Sequence, residues 1–127
     1  MAGVTYDTGA LIAAERNDRR MWALHAAFLK EDVVPIVPAL VLAQAWRGGA
    51  RQASLSRLLA MCDVEALAEA QARRIGELAG KAAHDDIVDV AVVEGAARRG
   101  DAVVTSNESH IRRIAAAAGV PLRIAAV

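Results

Sequence analysis

The chain is predicted to be a single α/β domain in which helices cover both faces of a parallel β-sheet. Short runs rich in Val and Ile alternate with amphipathic segments of helical spacing, as in successive βα units. The 127 residues fit one domain, and the 55% hydrophobic content suffices for an ordinary core. Because only four residues are aromatic, that core must be mainly aliphatic. We therefore predict one three-layer α/β/α domain over residues 1–127.

The predicted strands are short β-type runs bounded by turn residues or helix formers. The run at 4–6 opens the sheet, and the run at 101–105 has the clearest strand pattern. Pro35 favours an edge or strand-end position for its strand, because proline cannot donate a hydrogen bond to a neighbour. The predicted strands are residues 4–6, 33–37, 64–67, 101–105 and 121–127.

The predicted helices are set by apolar periodicity and by proline and glycine signals. Pro38 can open the third helix, and glycines mark several helix ends. The second helix places Trp22, Ala26 and Leu29 on one apolar face. The predicted helices are residues 8–15, 19–30, 39–47, 52–61, 69–79, 85 or 86 to 99, and 108–118. Their carboxyl-end stops are Gly48 with Gly49, Gly80, Gly100 and Gly119.

The charge balance excludes a protein drawn to nucleic acid or anionic lipid by a global field, since the formal net charge is zero. Binding of that kind must use local patches. Arginine supplies all the basic residues except Lys30 and Lys81, and its planar fork suits phosphate. Solvated helix faces are an equally good interpretation. Two arginine groups are dense: Arg16, Arg19 and Arg20, and then Arg47 and Arg51.

Cys62 is the single cysteine, which excludes a disulfide framework and a cysteine metal site. The amino terminus lacks the pattern of a signal peptide. The longest apolar stretch, residues 33–45, is too short to cross a bilayer. We therefore expect a soluble cytoplasmic protein without a membrane partner.

Acidic and amide side chains occur at predicted element junctions. Asp7 follows the first strand, and Asn107 follows the strand at 101–105. In an open α/β sheet, ligands bind at the carboxyl ends of the strands. Asp86 and Asp85 are three and four residues before Asp89, so each can share a helical face with it. Such carboxylates suit Mg²⁺, although Asp85 and Asp86 could instead be helix caps.

Three segments of the chain resemble the PIN-domain nucleases, and more narrowly the VapC-type toxins of bacterial toxin-antitoxin pairs. The segments are Asp7-Thr8-Gly9-Ala10-Leu11, Asp89-Val90-Ala91-Val92-Val93 and Val103-Val104-Thr105-Ser106-Asn107. The resemblance covers nearly the whole chain in length and element order. It implies a doubly wound α/β/α sandwich that cleaves RNA with Mg²⁺ or Mn²⁺.

The resemblance also implies which residues form the site. Asp7 and Asp89 fall on two of the family's acidic positions, whereas Gln44 and Asn107 fall on positions that are usually acidic. These two amides halve the charge available to a cation. Asp86 is expected to restore one charge as a catalytic and metal-binding residue, with Glu15 and Glu108 as weaker substitutes. The implied RNA-binding residues are Arg16, Arg19, Arg20, Arg47, Arg51, Thr8 and Ser106, of which Thr8 and Ser106 could equally be helix caps.

The implied partners are an RNA substrate, a cognate antitoxin and a second copy of the chain in a homodimer. An alternative is a degenerate PIN-like protein that binds RNA or a protein without cleaving. A haloacid-dehalogenase-like phosphatase is excluded because Gly9 stands where its second Asp is needed. A receiver domain needs an acidic pair at the end of its first strand and a Lys after its last strand. It is excluded because the sequence has neither feature.

The three histidines are interpreted as ordinary residues, because His25, His84 and His110 form no metal-binding pair in sequence. His110 lies near the proposed site and could contact a phosphate, although a surface helix position explains it as well. Trp46 could stack on a base. Trp22 is placed in the core or at a dimer surface.

Overall fold

Five parallel strands and seven helices make up residues 3–84 and 86–127, the part of the chain that the computed structural model describes. The strands are β1 (Val4–Tyr6), β2 (Ile36–Pro38), β3 (Asp63–Glu65), β4 (Ala102–Thr105) and β5 (Ile124–Ala126). The helices are α1 (Thr8–Glu15), α2 (Arg19–Lys30), α3 (Ala39–Ala45), α4 (Ala53–Leu59), α5 (Glu69–Ala82), α6 (Ile87–Arg99) and α7 (Glu108–Ala118). A short 3₁₀ turn, Ala50–Gln52, precedes α4.

The strand order is β3-β2-β1-β4-β5, with β1 in the centre. Thr5 of β1 pairs with Ile36 on one side and with Val103 on the other. The chain moves outward from β1 through β2 to β3, and later from β4 to β5 on the opposite side. Because parallel crossovers are right-handed, these two directions place α1–α4 and α5–α7 on opposite faces. The predicted three-layer α/β/α sandwich with a parallel sheet is confirmed.

The core lies between the central strands and the helices on either side, and it is mainly aliphatic as predicted. Val103, Val104, Val90 and Val92 are fully buried. Tyr6 is the aromatic exception, and its hydroxyl lies 2.8 Å from His25 Nδ1.

The contact between the Tyr6 hydroxyl and His25 fits the face of α2 that is buried. Met21 and His25 are buried, whereas Ala26 is exposed and Trp22 and Leu29 are half-buried. The face predicted for the second helix is therefore wrong at Ala26. Apolar spacing alone gave no weight to His25, which turns inward toward a buried hydroxyl.

The carboxyl end of α6 is fixed to the sheet by a buried polar cluster. Arg99 Nε donates to Asp101 Oδ2 at 2.9 Å, and Arg99 Nη2 donates to Thr5 Oγ1 at 2.8 Å. The Thr5 hydroxyl donates to the same Asp101 oxygen at 2.8 Å. Because β1 and β4 meet at this cluster, α6 is held antiparallel to the central strands. Its amino end, which carries Asp89, therefore lies toward their carboxyl ends.

Several element boundaries differ from the predicted ones. Pro35 lies just before β2, so the strand-end position is confirmed, but β2 is an interior strand and not an edge. Asp63 N–H donates to the Pro35 carbonyl at 2.9 Å, so the proline supplies only an acceptor.

Among the described residues, no helix is both long and apolar enough to cross a membrane.

The predicted stop of α5 at Gly80 is wrong, because the helix continues to Ala82 and ends at Ala83. Ala83 has a left-handed backbone with φ 50° and ψ 46°. The next residue closes the helix end, since His84 N–H donates to the Ala79 carbonyl at 3.1 Å. Ile75 and Leu78 of this helix pack in the core. Gly80 is exposed and lies inside the helix, so the glycine did not end it. Gly100 and Gly119 end α6 and α7 as predicted.

Replacing Ala83 with Gly should stabilise the protein, because a left-handed residue with a Cβ costs about 1–2 kcal/mol and glycine does not have that cost. We expect the free energy of unfolding in urea to rise by about 0.5–1 kcal/mol. Ala72→Gly, an exposed mid-helix control in α5, should lower it by about 1 kcal/mol. Equal destabilisation by both changes would contradict the left-handed assignment of residue 83.

Candidate active site

The candidate site lies where the carboxyl ends of β1 and β4 are adjacent. The connections that follow these two strands run to opposite sides of the sheet, which leaves a crevice at the strand ends. Asp7 directly follows β1, and its N–H donates to the Val104 carbonyl of β4 at 3.1 Å. Asn107 lies two residues beyond β4. The predicted placement of these two side chains at strand ends is observed.

Asp7 is a buried carboxylate at the amino end of α1, and the residue is only 3% exposed. Its Oδ1 accepts a hydrogen bond from Ala10 N–H at 2.9 Å, so Asp7 caps the helix. Burial raises the pKa of the Asp7 carboxyl above its usual range. Hydrogen bonds from Thr105 and Ala10 act in the opposite direction, and the nearby Asp89 carboxylate raises the pKa further.

Thr105 connects the end of β4 to Asp7, a role that the sequence analysis did not assign. Its Oγ1 accepts from Asn107 N–H at 2.8 Å, and its hydroxyl lowers the pKa of the neighbouring Asp7 carboxyl. Thr105 is fully buried. The sequence did carry a signal for this role, because Thr105 is a hydroxyl residue at the end of the predicted strand at 101–105, two residues before Asn107.

Gly9 allows α1 to approach the end of β4 closely. A Cβ built on Gly9 would lie 1.8 Å from Ser106 Oγ and 3.2 Å from Ser106 N. The contact with Ser106 Oγ would be a severe clash. The contact with the Ser106 nitrogen would be tight, and a backbone atom cannot move aside as a side chain can. Residue 9 therefore needs to be glycine for α1 to approach Ser106 this closely. Asp7 is the N-cap residue of α1 and Asn107 is the N-cap residue of α7, so neither Thr8 nor Ser106 caps the helix that follows it.

Asp89 lies in the first turn of α6, and Asp86 caps that helix. Asp86 Oδ1 accepts from the N–H groups of Val88 and Asp89 at 3.0 and 3.2 Å. The cap interpretation of Asp86 is thus correct, and its carboxylate still lies close enough to influence Asp89. Burial and then Asp86 raise the pKa of Asp89, while His110 and His84 lower it. Asp85 lies outside the described residues.

Two histidines adjoin Asp89, although the sequence gave no reason to group them. His84 Nε2 lies 3.7 Å from Asp89 Oδ2, and His110 Nδ1 lies 3.5 Å from the same oxygen. The two rings are edge to face with centroids 5.4 Å apart. His25 lies in the core, as the ordinary interpretation allows, whereas His84 and His110 lie beside Asp89. Residues 26 apart in sequence meet only through the packing of α5, α6 and α7.

The two amides at the usually acidic positions also reach the site. Gln44 Oε1 accepts from Thr8 Oγ1 at 2.5 Å, and α3 contacts both α1 and α6. Asn107 Nδ2 lies 2.9 Å from His110 Nδ1. The proposed acidic substitutes have other partners: Glu15 accepts from Gln52 at 2.6 Å, and Glu108 pairs with Arg112 at 2.6 Å.

The predicted RNA-binding arginines are all exposed, but only some lie against the site. Arg16 and Ser106 line one open groove of about 480 Å³, together with Gly9. Arg47 Nη1 donates to the Trp46 carbonyl at 2.8 Å. Arg19 and Arg20 occupy the first turn of α2, and Arg51 lies in the 3₁₀ turn.

The donor set suits a divalent cation. The Asp7 and Asp89 carboxylates both have burial-raised pKa values, and each lies close enough to a second carboxylate to feel its charge. A cation between such groups offsets both desolvation and repulsion. Asp86 would add a third carboxylate at the same helix end.

Replacing Asp7 with Asn should stabilise the metal-free protein near pH 7. Asn keeps the capping oxygen, and it removes a buried charge whose pKa is raised in the folded state. A raised carboxyl pKa means that the folded protein binds this proton more readily than the unfolded chain does, so the destabilisation caused by the Asp7 charge diminishes as the pH falls. We therefore expect the Asn variant to melt higher in EDTA at pH 7, with the difference shrinking at acidic pH.

The matched control is Asp18→Asn, the same change at the exposed amino-terminal cap of α2. It should leave the melting temperature nearly unchanged. A lower melting temperature for Asp7→Asn, or a difference independent of pH, would contradict the charge argument.

Comparisons with known proteins support the fold. No family model and no curated protein matches the chain. Nineteen chains of solved structures match, among them one from the crystal structure of VapBC2 of Rickettsia felis bound to a DNA fragment from their promoter. This match has a TM-score of 0.73 and 14% identity, and it covers 97% of both chains. At that identity the likeness concerns architecture, and the chain has the PIN-like α/β/α fold.

Proposed function

We propose that the protein is a metal-dependent endoribonuclease that acts as the toxin of a toxin-antitoxin pair. The observation that carries this proposal is the proximity of the buried Asp7 carboxylate to the half-buried Asp89 carboxylate, near the strand ends of a PIN-like fold. Buried carboxylates with raised pKa values in a crevice are typical of functional sites. The shared fold adds support to this chemistry by analogy.

The acidic and amide residues of the site would have different roles in metal and phosphate binding. Asp7, Asp89 and Asp86 would hold a Mg²⁺ or Mn²⁺ ion, and the hydrogen bond from Ala10 N–H fixes the orientation of Asp7. When bound, such an ion lowers the pKa of a water and stabilises the charge of an in-line displacement at phosphorus. Gln44 and Asn107 would orient the ion's waters or the scissile phosphate through neutral oxygens.

The RNA backbone would lie along the exposed arginines. The groove shared by Arg16 and Ser106 begins beside the first turn of α1 and offers one guanidinium and one hydroxyl to a phosphate. Thr8 would contribute a second hydroxyl. Trp46 is 41% exposed and could stack on a base. The remaining phosphate contacts are assigned to Arg19, Arg20, Arg47 and Arg51.

The proposed protein partners are an antitoxin and a second copy of the chain, in the cytoplasm. The solved VapBC2 structure is a complex bound to promoter DNA, which supports an antitoxin partner here. Large apolar side chains are exposed on the side of the domain that carries α3 and α4, among them Trp46 and Met61. Such side chains favour a protein contact.

The alternative is a PIN-like protein that binds RNA or a partner without cleaving. The contacts of the two amides favour this non-catalytic alternative, since Gln44 is hydrogen-bonded to Thr8 and Asn107 contacts His110. Neutral side chains at these two positions reduce cation affinity, because that affinity depends on ligand charge.

Calorimetry with Mg²⁺ and Mn²⁺, and RNA cleavage assayed on the same samples, distinguish the two functions. The wild-type protein should bind the ion and cleave, whereas Asp89→Asn should lose cleavage by on the order of 100-fold or more, because several kcal/mol of transition-state stabilisation depend on the ion. Asp63→Asn, at the exposed start of the edge strand β3, is the matched control and should keep both properties.

Absence of both binding and cleavage in the wild type would refute the nuclease and favour the non-catalytic protein. Cleavage that survives both Asp89→Asn and EDTA would show that another site is responsible.

A further inference from the structure

We propose that His84, His110 and Asp89 form a binding site for a borderline transition-metal ion of the Zn²⁺ class. One potential donor atom from each residue lies within 4.8 Å of the other two. The site shares Asp89 with the proposed nuclease centre, yet it depends on neither Asp7 nor RNA cleavage. The inference therefore stands independently of the proposed function.

The distances in this cluster fit metal coordination better than hydrogen bonding. The two histidine nitrogens lie 3.7 and 3.5 Å from Asp89 Oδ2, beyond the usual limit of about 3.2 Å for a hydrogen bond. In a tetrahedral site with bonds of about 2.0–2.1 Å, neighbouring donors are roughly 3.3 Å apart. The two nitrogens are thus within a few tenths of an ångström of that separation from Asp89 Oδ2, and all three donors, which lie within 4.8 Å of one another, would close to it on binding.

His84 supplies an independent indication of a ligand. Its side chain is only 9% exposed, and its Nε2 is buried without a hydrogen-bond partner among the described residues. A buried polar atom without a partner costs about 1–3 kcal/mol. This nitrogen is the atom that faces Asp89 Oδ2, so an ion between them would satisfy both groups.

The three side chains are held by backbone that is already ordered. His84 follows the end of α5 and is tied to it by its N–H bond to the Ala79 carbonyl. Asp89 and His110 lie in the first turns of α6 and α7. Because α5, α6 and α7 pack against one another, little ordering is needed on binding.

The chemistry of the donors selects the ion. Two imidazoles and one carboxylate suit Zn²⁺, Co²⁺ or Ni²⁺, whereas Mg²⁺ prefers oxygen ligands throughout. Three protein ligands leave one coordination position open, as in catalytic zinc sites. The Asn107 amide, 2.9 Å from His110 Nδ1, must turn aside for this nitrogen to bind. Asn107→Ala should therefore preserve or strengthen metal binding.

Co²⁺ titration of the full-length protein, stripped of metal with EDTA, tests the proposal by visible absorption. We expect one equivalent to give the intense bands of tetrahedral Co²⁺, which Zn²⁺ should abolish and millimolar Mg²⁺ should not. His84→Gln and His110→Gln should each weaken binding at least about tenfold. Glu108→Gln, in the same turn of α7 as His110, is the matched control and should bind like the wild type.

Circular dichroism shows whether each variant is folded. If His84→Gln does not fold, the His110→Gln variant decides, because His110 is 41% exposed and its replacement is expected to be tolerated. The absence of Co²⁺ bands in the wild type, or equal binding by wild type and His110→Gln, would overturn the proposal. Mg²⁺-dependent cleavage without Co²⁺ binding would refute this site alone, and Co²⁺ binding without cleavage would refute only the nuclease.

Discussion

The pairing of β1 between β2 and β4 is the constraint on which the rest of the structure depends. It places the first strand at the centre of the sheet and forces the two halves of the chain to leave in opposite directions. The crevice at its carboxyl end is therefore a consequence of topology. Asp7 enters from β1, Asn107 from β4 and Asp89 from α6, although these residues are far apart in the chain.

Asp7 combines a structural and a chemical role that oppose each other energetically. As the cap of α1 it stabilises the helix, since its oxygen satisfies the Ala10 N–H. As a buried charge it is unfavourable, and the neighbouring Asp89 carboxylate adds repulsion. Side chains kept in such an arrangement are typical of sites where function is preserved at a cost in stability.

The sequence predicted the features that depend on local pattern and element order. The alternation of elements predicted the parallel sheet, and the strand ends predicted where Asp7 and Asn107 lie. The grouping of His84 and His110 beside Asp89 could not be predicted, because it arises from the packing of three helices and no spacing in the sequence encodes it. The end of α5 was also mispredicted, because the helix passes through Gly80 and ends at a left-handed Ala83, a conformation that alanine does not signal in the sequence.

The close approach of Gly9 to Ser106 links two positions that are almost a hundred residues apart in the chain. Because the two residues share one small volume, a larger side chain at one position requires a smaller one at the other. The Cβ of residue 106 limits this exchange, since a Cβ at residue 9 would lie 2.7 Å from it and 3.2 Å from the backbone nitrogen of Ser106. Across homologous chains, the side chains at positions 9 and 106 should therefore covary in size. In a sequence alignment, this covariation would mark the contact between the start of α1 and the end of β4.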